Sequence, residues 1–216
     1  MKRLAIFGTS GFSKEVLDIA LDQGYQEIVF LTHDESVIGE VLGFPIKHES
    51  YITELERNGF VFAIAAGNGD IRDKIYNKYP QLIYPNLIHS SVTWGYKMEE
   101  IFIKAKGLIF AAGVRITTAC EFGNFVVINL NATIGHDCKL EDFVSVMPGA
   151  NISGNVHLSN ASYVGTGATI LQGKTEEQKM LIGYKAVVGA GSVVVKSVAP
   201  NTIVVGAPAK ELKRNG

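Results

Sequence analysis

An aliphatic or aromatic residue stands at every sixth position along a central stretch of this chain. Because apolar residues make up 47% of the sequence, eleven consecutive matches would arise by chance in about one phase in several thousand. A period this short is typical of a β-solenoid, in which each repeat supplies one short strand. The series consists of Phe110, Ile116, Phe122, Ile128, Ile134, Leu140, Val146, Ile152, Leu158, Val164 and Ile170.

A second series lies two positions before the first and contains small or apolar residues. Residues two apart in a strand share a face, so both series are predicted to point into the interior while Gly, Asn, Asp and Ser form the turns. Three such hexads close one triangular coil of about 18 residues. The second series consists of Val114, Cys120, Val126, Ala132, Cys138, Val144, Ala150, Val156, Ser162 and Ala168.

Two features of the repeat region need separate interpretation. Cys120 and Cys138 are the chain's two cysteines, too few for a disulfide framework or a structural zinc site, and we predict that they stack inside the coil as apolar fillers. The apolar phase resumes only at Ile182, two hexads after Ile170. The intervening polar segment Lys174–Lys179 is therefore predicted to form an external loop.

The first 85 residues follow a different pattern, in which strand and helix signals alternate. Apolar runs at 3–7, 27–31 and 60–66 predict strands, and amphipathic runs at 12–23 and 70–79 predict helices. This order predicts a small parallel sheet with flanking helices. Helical signals stop near residue 86, so we predict an α/β domain over 1–85, a β-solenoid domain over 86–205 and a tail over 206–216.

Charge excludes several classes of partner. The formal net charge is −1 and the sequence pI is about 6.5, which leaves no broad basic field for nucleic acid or an anionic membrane. The apolar stretch after Arg3 ends at Gly8, too early for a signal peptide or a membrane span. We expect a cytoplasmic protein that acts on a small molecule.

Three motifs give the chain a resemblance to a known family. They are the turn Gly8–Gly11 after the first strand, the stretch from Ile128-Asn129 to Ile134-Gly135-His136-Asp137-Cys138, and the tail Gly206-Ala207-Pro208-Ala209-Lys210. In these motifs and in its hexads the chain resembles the NeuD/PglD-like sugar acyltransferases. The resemblance implies a Rossmann-like domain that binds a nucleotide sugar, a left-handed parallel β-helix that binds acetyl-CoA, no metal, and a homotrimer with active sites between subunits.

His136 is the candidate general base. Acyl transfer from a thioester needs a group that removes a proton from the attacking amine or hydroxyl, and histidine suits neutral pH. Its position two residues past Ile134 predicts that its side chain leaves the coil outward. Asp137 is predicted to orient the imidazole, with a solvated turn aspartate as the alternative. Gly154, one coil beyond, is predicted to lie over the base, where its N–H can meet an oxyanion.

Other site residues rest on the resemblance or on local turn chemistry. In the N-terminal domain, Ser10 and Gly11 lie between a strand and a helix, where N–H groups can receive phosphate. Histidine is frequent in the family where this chain has Phe12 and common where it has Ser145. The remaining substrate residues implied are Phe12, His33, Asp34, Asn68 and Asn129. The acetyl-CoA contacts implied are Ser145, Thr166, Ala190, Pro208 and Lys210, with Gly154 beside them.

We expect an N-acetyltransferase that acts on a UDP-linked amino sugar, a UDP-4-amino-4,6-dideoxy-N-acetyl-hexosamine. Sugar O-acetylation of the sialic-acid type is the alternative within the family. A zinc-dependent β-helix hydratase and a non-catalytic solenoid are remote alternatives, since the repeats lack a spaced histidine trio. His48 and His89 in connecting segments, and His157 on a predicted turn, are expected to be solvated or to act as caps.

Overall fold

The computed structural model describes residues 1–213, and the N-terminal part forms an α/β domain. Its sheet has the order β3-β4-β2-β1-β5, in which β1, β2, β4 and β5 run parallel and β3 pairs antiparallel with β4. The elements are β1 (Lys2–Phe7), α1 (Gly11–Asp22), β2 (Tyr25–Thr32), β3 (Glu40–Val41), β4 (Phe44–His48), a 3-10 turn (Glu49–Tyr51), α2 (Ile52–Arg57), β5 (Val61–Ile64) and α3 (Gly69–Lys78).

The predicted strands and helices of this domain are confirmed, although the β3–β4 hairpin and α2 were not foreseen. Apolar strand residues such as Leu4, Ile6 and Phe62 are fully buried between the helices. The chain passes from β1 through α1 to β2 on one side and later returns to place β5 on the other side of β1. This reversal opens a crevice at the carboxyl ends of β1 and β5, the usual ligand position in an open α/β sheet.

The second part of the chain is a parallel β-helix with three faces. The first face contains β6 (Leu87–Ile88), β8 (Ile109–Phe110), β11 (Val127–Ile128), β14 (Ser145–Val146), β17 (Tyr163–Val164), β20 (Val187–Val188), β22 (Ile203–Val205) and β23 (Lys210–Glu211). The second face contains β7 (Thr93–Trp94), β9 (Arg115–Ile116), β12 (Thr133–Ile134), β15 (Asn151–Ile152), β18 (Thr169–Ile170) and β21 (Val193–Val194). The third face contains β10 (Glu121–Phe122), β13 (Lys139–Leu140), β16 (Val156–Leu158) and β19 (Met180–Ile182).

The strand register confirms the predicted 18-residue coil. Thr133 pairs with Asn151, and Val127 pairs with Ser145. The first predicted series is buried except for the half-buried Phe122, and the second is buried throughout. Cys120 and Cys138 lie inside the prism as free thiols. Residues 171–179 form no strand and leave the coil as the predicted external loop.

The expectation that helices end near residue 86 was wrong. A short helix, α4 (Met98–Phe102), interrupts the first coil before β10 begins the third face. Met98 and Phe102 are buried in the core of the prism, and the Phe102 ring meets Phe110 edge-on at 5.3 Å between centroids. The helix therefore covers the open end of the coil, where a further strand would leave its apolar residues exposed.

A buried arginine joins the two domains. Arg72 of α3 is completely buried, and its guanidinium donates to the carbonyls of Phe125 at 2.9 Å and Phe143 at 2.6 Å. Burial lowers the pKa of Arg72 to about 9, so the group stays charged at neutral pH. Charge-assisted hydrogen bonds to several oxygens compensate for the loss of hydration.

The two phenylalanines whose carbonyls accept from this arginine stack on each other. Phe125 and Phe143 occupy equivalent corners of successive coils, with φ values of 55° and 61°, and their rings stack at 5.4 Å. Tyr76 of α3 packs against Phe125 at 4.8 Å between centroids. Left-handed backbone is uncommon for bulky residues, so the aromatic packing against the α/β domain stabilises these corners.

No helix among residues 1–213 has the length and apolar content needed to cross a membrane.

Gly69 permits the close approach of α3 to the β-helix. A Cβ at this position would overlap the carbonyl oxygen of Phe143 and crowd Ala161. We predict that Gly69→Ala lowers the free energy of unfolding by about 1–3 kcal/mol, the usual cost of overpacking. Gly67→Ala is the matched control, because a Cβ there meets nothing within 4 Å. Chemical denaturation of both variants measures the difference, and equal stability of the two would contradict the junction described here.

Candidate active site

His136 and Asp137 form a contacting pair on the surface of the β-helix. They lie at the corner between the second and third faces, between β12 and β13. The Nδ1 atom of His136 is 2.6 Å from Oδ2 of Asp137, and the His136 side chain is 59% exposed. An ionised carboxylate only accepts hydrogen bonds, so Nδ1 carries the proton and Nε2 is free to act as a base. The predicted outward direction and the predicted contact are both present.

Gly154 lies over the imidazole, as its one-coil spacing predicted. A Cβ at Gly154 would come within 2.5 Å of His136 Nε2 and 2.6 Å of Cε1. The Gly154 carbonyl accepts from the amide of Gly173, whereas its own N–H makes no hydrogen bond to any of residues 1–213. Glycine therefore leaves room for the ring and presents an unused donor beside it.

The external loop returns to the same corner. Gly173 lies against Asn155 at the start of the loop. At its end, the ammonium of Lys179 donates to the carbonyl oxygen of Asp137. Inside the prism, the thiol of Cys120 donates to the carbonyl of Gly135 at 3.1 Å. The backbone on either side of His136 is thus fixed by one contact from the external loop and one from the interior of the prism.

A cleft of about 780 Å³ opens at the carboxyl edge of the α/β sheet. Helix α1 begins directly behind its rim, where first-turn N–H groups have no intrahelical acceptor. Gly8 has a φ of 113°, and a Cβ there would lie 3.2 Å from the Ala65 carbonyl oxygen, so glycine keeps β1 and β5 close. The lining residues include Gly8, Thr9, Ser10, Thr32, His33, Glu49, Ala65, Ala66, Gly67, Ile71, Lys74, Ile75 and Lys78.

Lysines give the cleft positive charge. Lys74 and Lys78 line it from α3, and Lys78 donates to Glu49 at 2.6 Å. This hydrogen bond raises the pKa of Lys78, so its ammonium stays charged. Glu49 also lines the cleft and offsets the charge of Lys78, so the positive charge left for a phosphate group is that of Lys74. Neither lysine was predicted, because lysines on a helix usually indicate only a solvated face.

The predicted substrate residues are only partly brought together. Ser10 and His33 line the cleft, with Gly11 immediately after Ser10. Asp34 is exposed next to His33, and its carboxylate accepts from Ser36 within its own turn. Hydrogen bonds from the Ser36 side chain and amide lower the pKa of Asp34.

Three further predicted residues lie outside the cleft. Asn68 caps α3 by accepting from the amide of Asp70 at 2.8 Å. Phe12 packs against the core between the two domains. Asn129 is buried at the corner between the first and second faces, where it accepts from the Leu130 amide. The structure therefore separates Asn129 from His136 by the width of one face.

Of the predicted acetyl-CoA residues, some are exposed and one is buried. Thr166 and Ala190 are exposed and stacked at the corner between the first and second faces, and Pro208 and Lys210 are exposed in the C-terminal turn and strand. The expectation for Ser145 was wrong, because it does not line an open groove. It is buried against the α/β domain, where its hydroxyl donates to the Gly67 carbonyl at 2.7 Å.

The remaining histidines have local roles. His48 and His89 accept from the amides of Ser50 and Ser91, as caps do. His157 lies on β16 rather than on the predicted turn, and its Nε2 is 2.8 Å from Glu141. Within residues 1–213, no three His, Cys, Asp or Glu side chains are grouped to hold a metal ion.

Known proteins share both halves of this architecture. The family model described as the PglD N-terminal domain matches residues 3–79. The GDP-perosamine N-acetyltransferase of Escherichia coli O157:H7 is 31% identical over 229 residues, covering 100% of this chain and 98% of that protein. The chain belongs to the NeuD/PglD-like sugar acyltransferases. The predictions of this family and of an acyltransferase are thereby confirmed.

Solved structures with the same fold match nearly the whole chain. The acetyltransferase domain of PglB from Neisseria gonorrhoeae FA1090, in complex with acetyl coenzyme A, matches with a TM-score of 0.85 at 32% identity, covering 98% of this chain and 99% of that chain. WeeI from Acinetobacter baumannii AYE matches with a TM-score of 0.86 at 28% identity, covering 98% and 100%. The left-handed β-helix with a Rossmann-like domain, predicted for this NeuD/PglD-like acyltransferase, is confirmed.

The glycine over His136 can be tested directly. We predict that Gly154→Ala forces the imidazole away from Asp137 and breaks their 2.6 Å contact, because the new Cβ occupies the position of the ring. The fold should tolerate the change, since the displaced atoms end an exposed side chain. A crystal structure of the variant measures the displacement, and Ser153→Ala serves as the neighbouring control. An unmoved ring in Gly154→Ala would show that the described packing is incorrect.

Proposed function

We propose that this acyltransferase moves the acetyl group of acetyl-CoA to the amine of a nucleotide-linked amino sugar. The observation that carries the proposal is the exposed His136–Asp137 pair beneath Gly154, on a chain that also holds a lysine-lined cleft in a Rossmann-like domain. The first arrangement suits thioester chemistry, and the second suits a nucleoside diphosphate. The solved PglB domain with acetyl coenzyme A supports the choice of acyl donor.

The nucleotide is GDP in this proposal, in place of the UDP expected from the resemblance. Support comes from the relative that matches the whole chain, which is named a GDP-perosamine N-acetyltransferase. The same name favours an amine over a hydroxyl as the acceptor.

The proposed reaction uses the three groups that meet at this corner. The sugar amine attacks the thioester carbonyl carbon and forms the new C–N bond, while Nε2 of His136 takes one amine proton. Asp137 holds the other ring nitrogen and stabilises the imidazolium. The N–H of Gly154 donates to the oxyanion of the tetrahedral intermediate. Collapse breaks the C–S bond, and the imidazolium returns its proton to the leaving thiolate of CoA.

Each active site needs two copies of the chain. The α/β domain packs on the first face through residues such as Val127 and Met147. His136 lies at the opposite corner of the triangular prism, out of reach of the cleft in its own subunit. In a homotrimer whose second faces turn towards the three-fold axis, the His136 corner of one subunit lies beside the Thr166 corner and cleft of the next.

The first experiment measures release of the CoA thiol. We expect release with acetyl-CoA and a GDP-linked 4-amino sugar, and none with the corresponding 4-hydroxy sugar. His136→Ala should lower kcat about 10²- to 10⁴-fold with little change in either KM, because the base acts in the transition state. Asp137→Asn should cost less, since it only orients the ring.

Two results would contradict this assignment. Turnover of His136→Ala within twofold of wild type would require another base. Equal rates with the amine and the hydroxyl sugar would refute the amine acceptor. His157→Ala is the matched control, because the side chain of that histidine pairs with Glu141 on the third face, and the kcat of this variant should be unchanged.

A second experiment tests the shared site. His136→Ala removes the base, and Ser10→Tyr blocks the cleft, so each variant alone should be inactive. When equal amounts are unfolded together and refolded, about one quarter of the sites in random trimers combine an intact cleft with an intact base. We therefore expect about one quarter of wild-type activity. A mixture that stays inactive although mixed trimers have formed would place cleft and base in the same subunit.

A further inference from the structure

Ser145 lies between the β-helix and the wall of the cleft. It belongs to β14 on the first face and is 1% exposed. Its hydroxyl donates to the carbonyl of Gly67 at 2.7 Å and accepts from Nη2 of Arg72 at 3.0 Å. Gly67 in turn lines the cleft. A single buried hydroxyl thus connects a strand of the β-helix to the proposed nucleotide site.

Arg72 holds the neighbouring residue of the same segment. Its Nη1 donates to the carbonyl of Ala66 at 2.7 Å, and Ala66 also lines the cleft. The other guanidinium nitrogens are fixed by Phe125, Phe143 and Val144 of the β-helix. The two consecutive carbonyls of the cleft wall are therefore both tied to groups whose positions the β-helix determines.

The hydrogen bonds from Arg72 and Ser145 determine the direction of the Ala66 and Gly67 carbonyls. The segment 65–68 connects the end of β5 to the start of α3 and forms no regular structure. With these hydrogen bonds missing, the half-buried carbonyls of Ala66 and Gly67 would lose the donors that fix their direction and would rotate towards other donors. Ile71 and Lys74, which follow in α3 and line the cleft, would move with the segment.

We propose that Ser145, together with Arg72, is a positioning residue for nucleotide-sugar binding. It holds the Ala66-Gly67 wall of the cleft in the binding conformation, and the β-helix thereby shapes a site in the other domain. The proposal rests on the assignment of the cleft to the nucleotide sugar. It predicts that Ser145 affects binding of the sugar nucleotide and does not affect binding of acetyl-CoA.

The test compares Ser145→Ala with Ser162→Ala. Both remove one buried hydroxyl, but the Ser162 hydroxyl has no hydrogen-bond partner among residues 1–213 and belongs to the interior series. We expect Ser145→Ala to raise the KM for the GDP-linked sugar and the Kd for GDP about three- to tenfold, the usual worth of one hydrogen bond. The kcat and the KM for acetyl-CoA should stay within twofold. For Ser145→Cys, whose thiol is a weaker donor, the KM for the sugar and the Kd for GDP should lie between those of wild type and Ser145→Ala.

Hydrogen exchange over residues 64–72 gives a readout that needs no ligand. Exchange there should be faster in Ser145→Ala than in wild type, and unchanged in Ser162→Ala. The proposal is overturned by unchanged exchange, by an unchanged KM for the sugar nucleotide, or by a rise in the KM for acetyl-CoA instead. If wild type binds no nucleotide, the proposed function fails, and the exchange measurement alone decides the positioning role.

Discussion

The hydrogen bonds of one buried guanidinium fix the relation between the two halves of this protein. Arg72 has no carboxylate within hydrogen-bonding distance in the described residues, and backbone carbonyls and a hydroxyl from both domains surround it instead. Each oxygen carries only a partial charge, so several are needed to replace water around a full positive charge. That requirement brings α3, two β-helix corners and the cleft wall to one point.

The corners of the β-helix allow this arrangement because they repeat. Every coil turns at the same register, so carbonyls of Phe125 and Phe143 come to lie in a row one strand spacing apart. A planar group with several donors can reach both, which an ammonium with its compact charge does less well. The stacked rings of these residues are buried at the junction. A repetitive structure thereby provides a specific docking surface.

The same regularity determines where chemistry is possible. Residues on the strands are committed to the interior or to a flat face, whereas a corner presents a side chain outward beside the backbone of the next coil. His136 uses this position, and Gly154 leaves the space for it. The α/β domain packs on the opposite face, so its cleft and the His136–Asp137 pair are separated within one subunit.

Much of this could be predicted from the sequence because the interactions concerned are periodic and local. Hexad spacing determined the coil length, the buried positions, the outward direction of His136 and the place of Gly154, since each depends only on residues 6 or 18 apart. Alternating apolar runs likewise determined the α/β domain. The family motifs then indicated an acyltransferase.

Only the tertiary structure decided the contacts between the domains. Arg72 meets Phe125 across 53 positions and Ser145 across 73, and no spacing rule relates residues so far apart. A charged residue on a helix normally indicates a solvated face, and a serine on a repeat strand indicates an open surface. Because Arg72 and Ser145 bury each other, neither residue has the exposed position that its local pattern would indicate. The physical reason is that a repeat pattern specifies how a coil packs on itself, whereas the docking of two folded surfaces depends on shape and donors that no local pattern encodes.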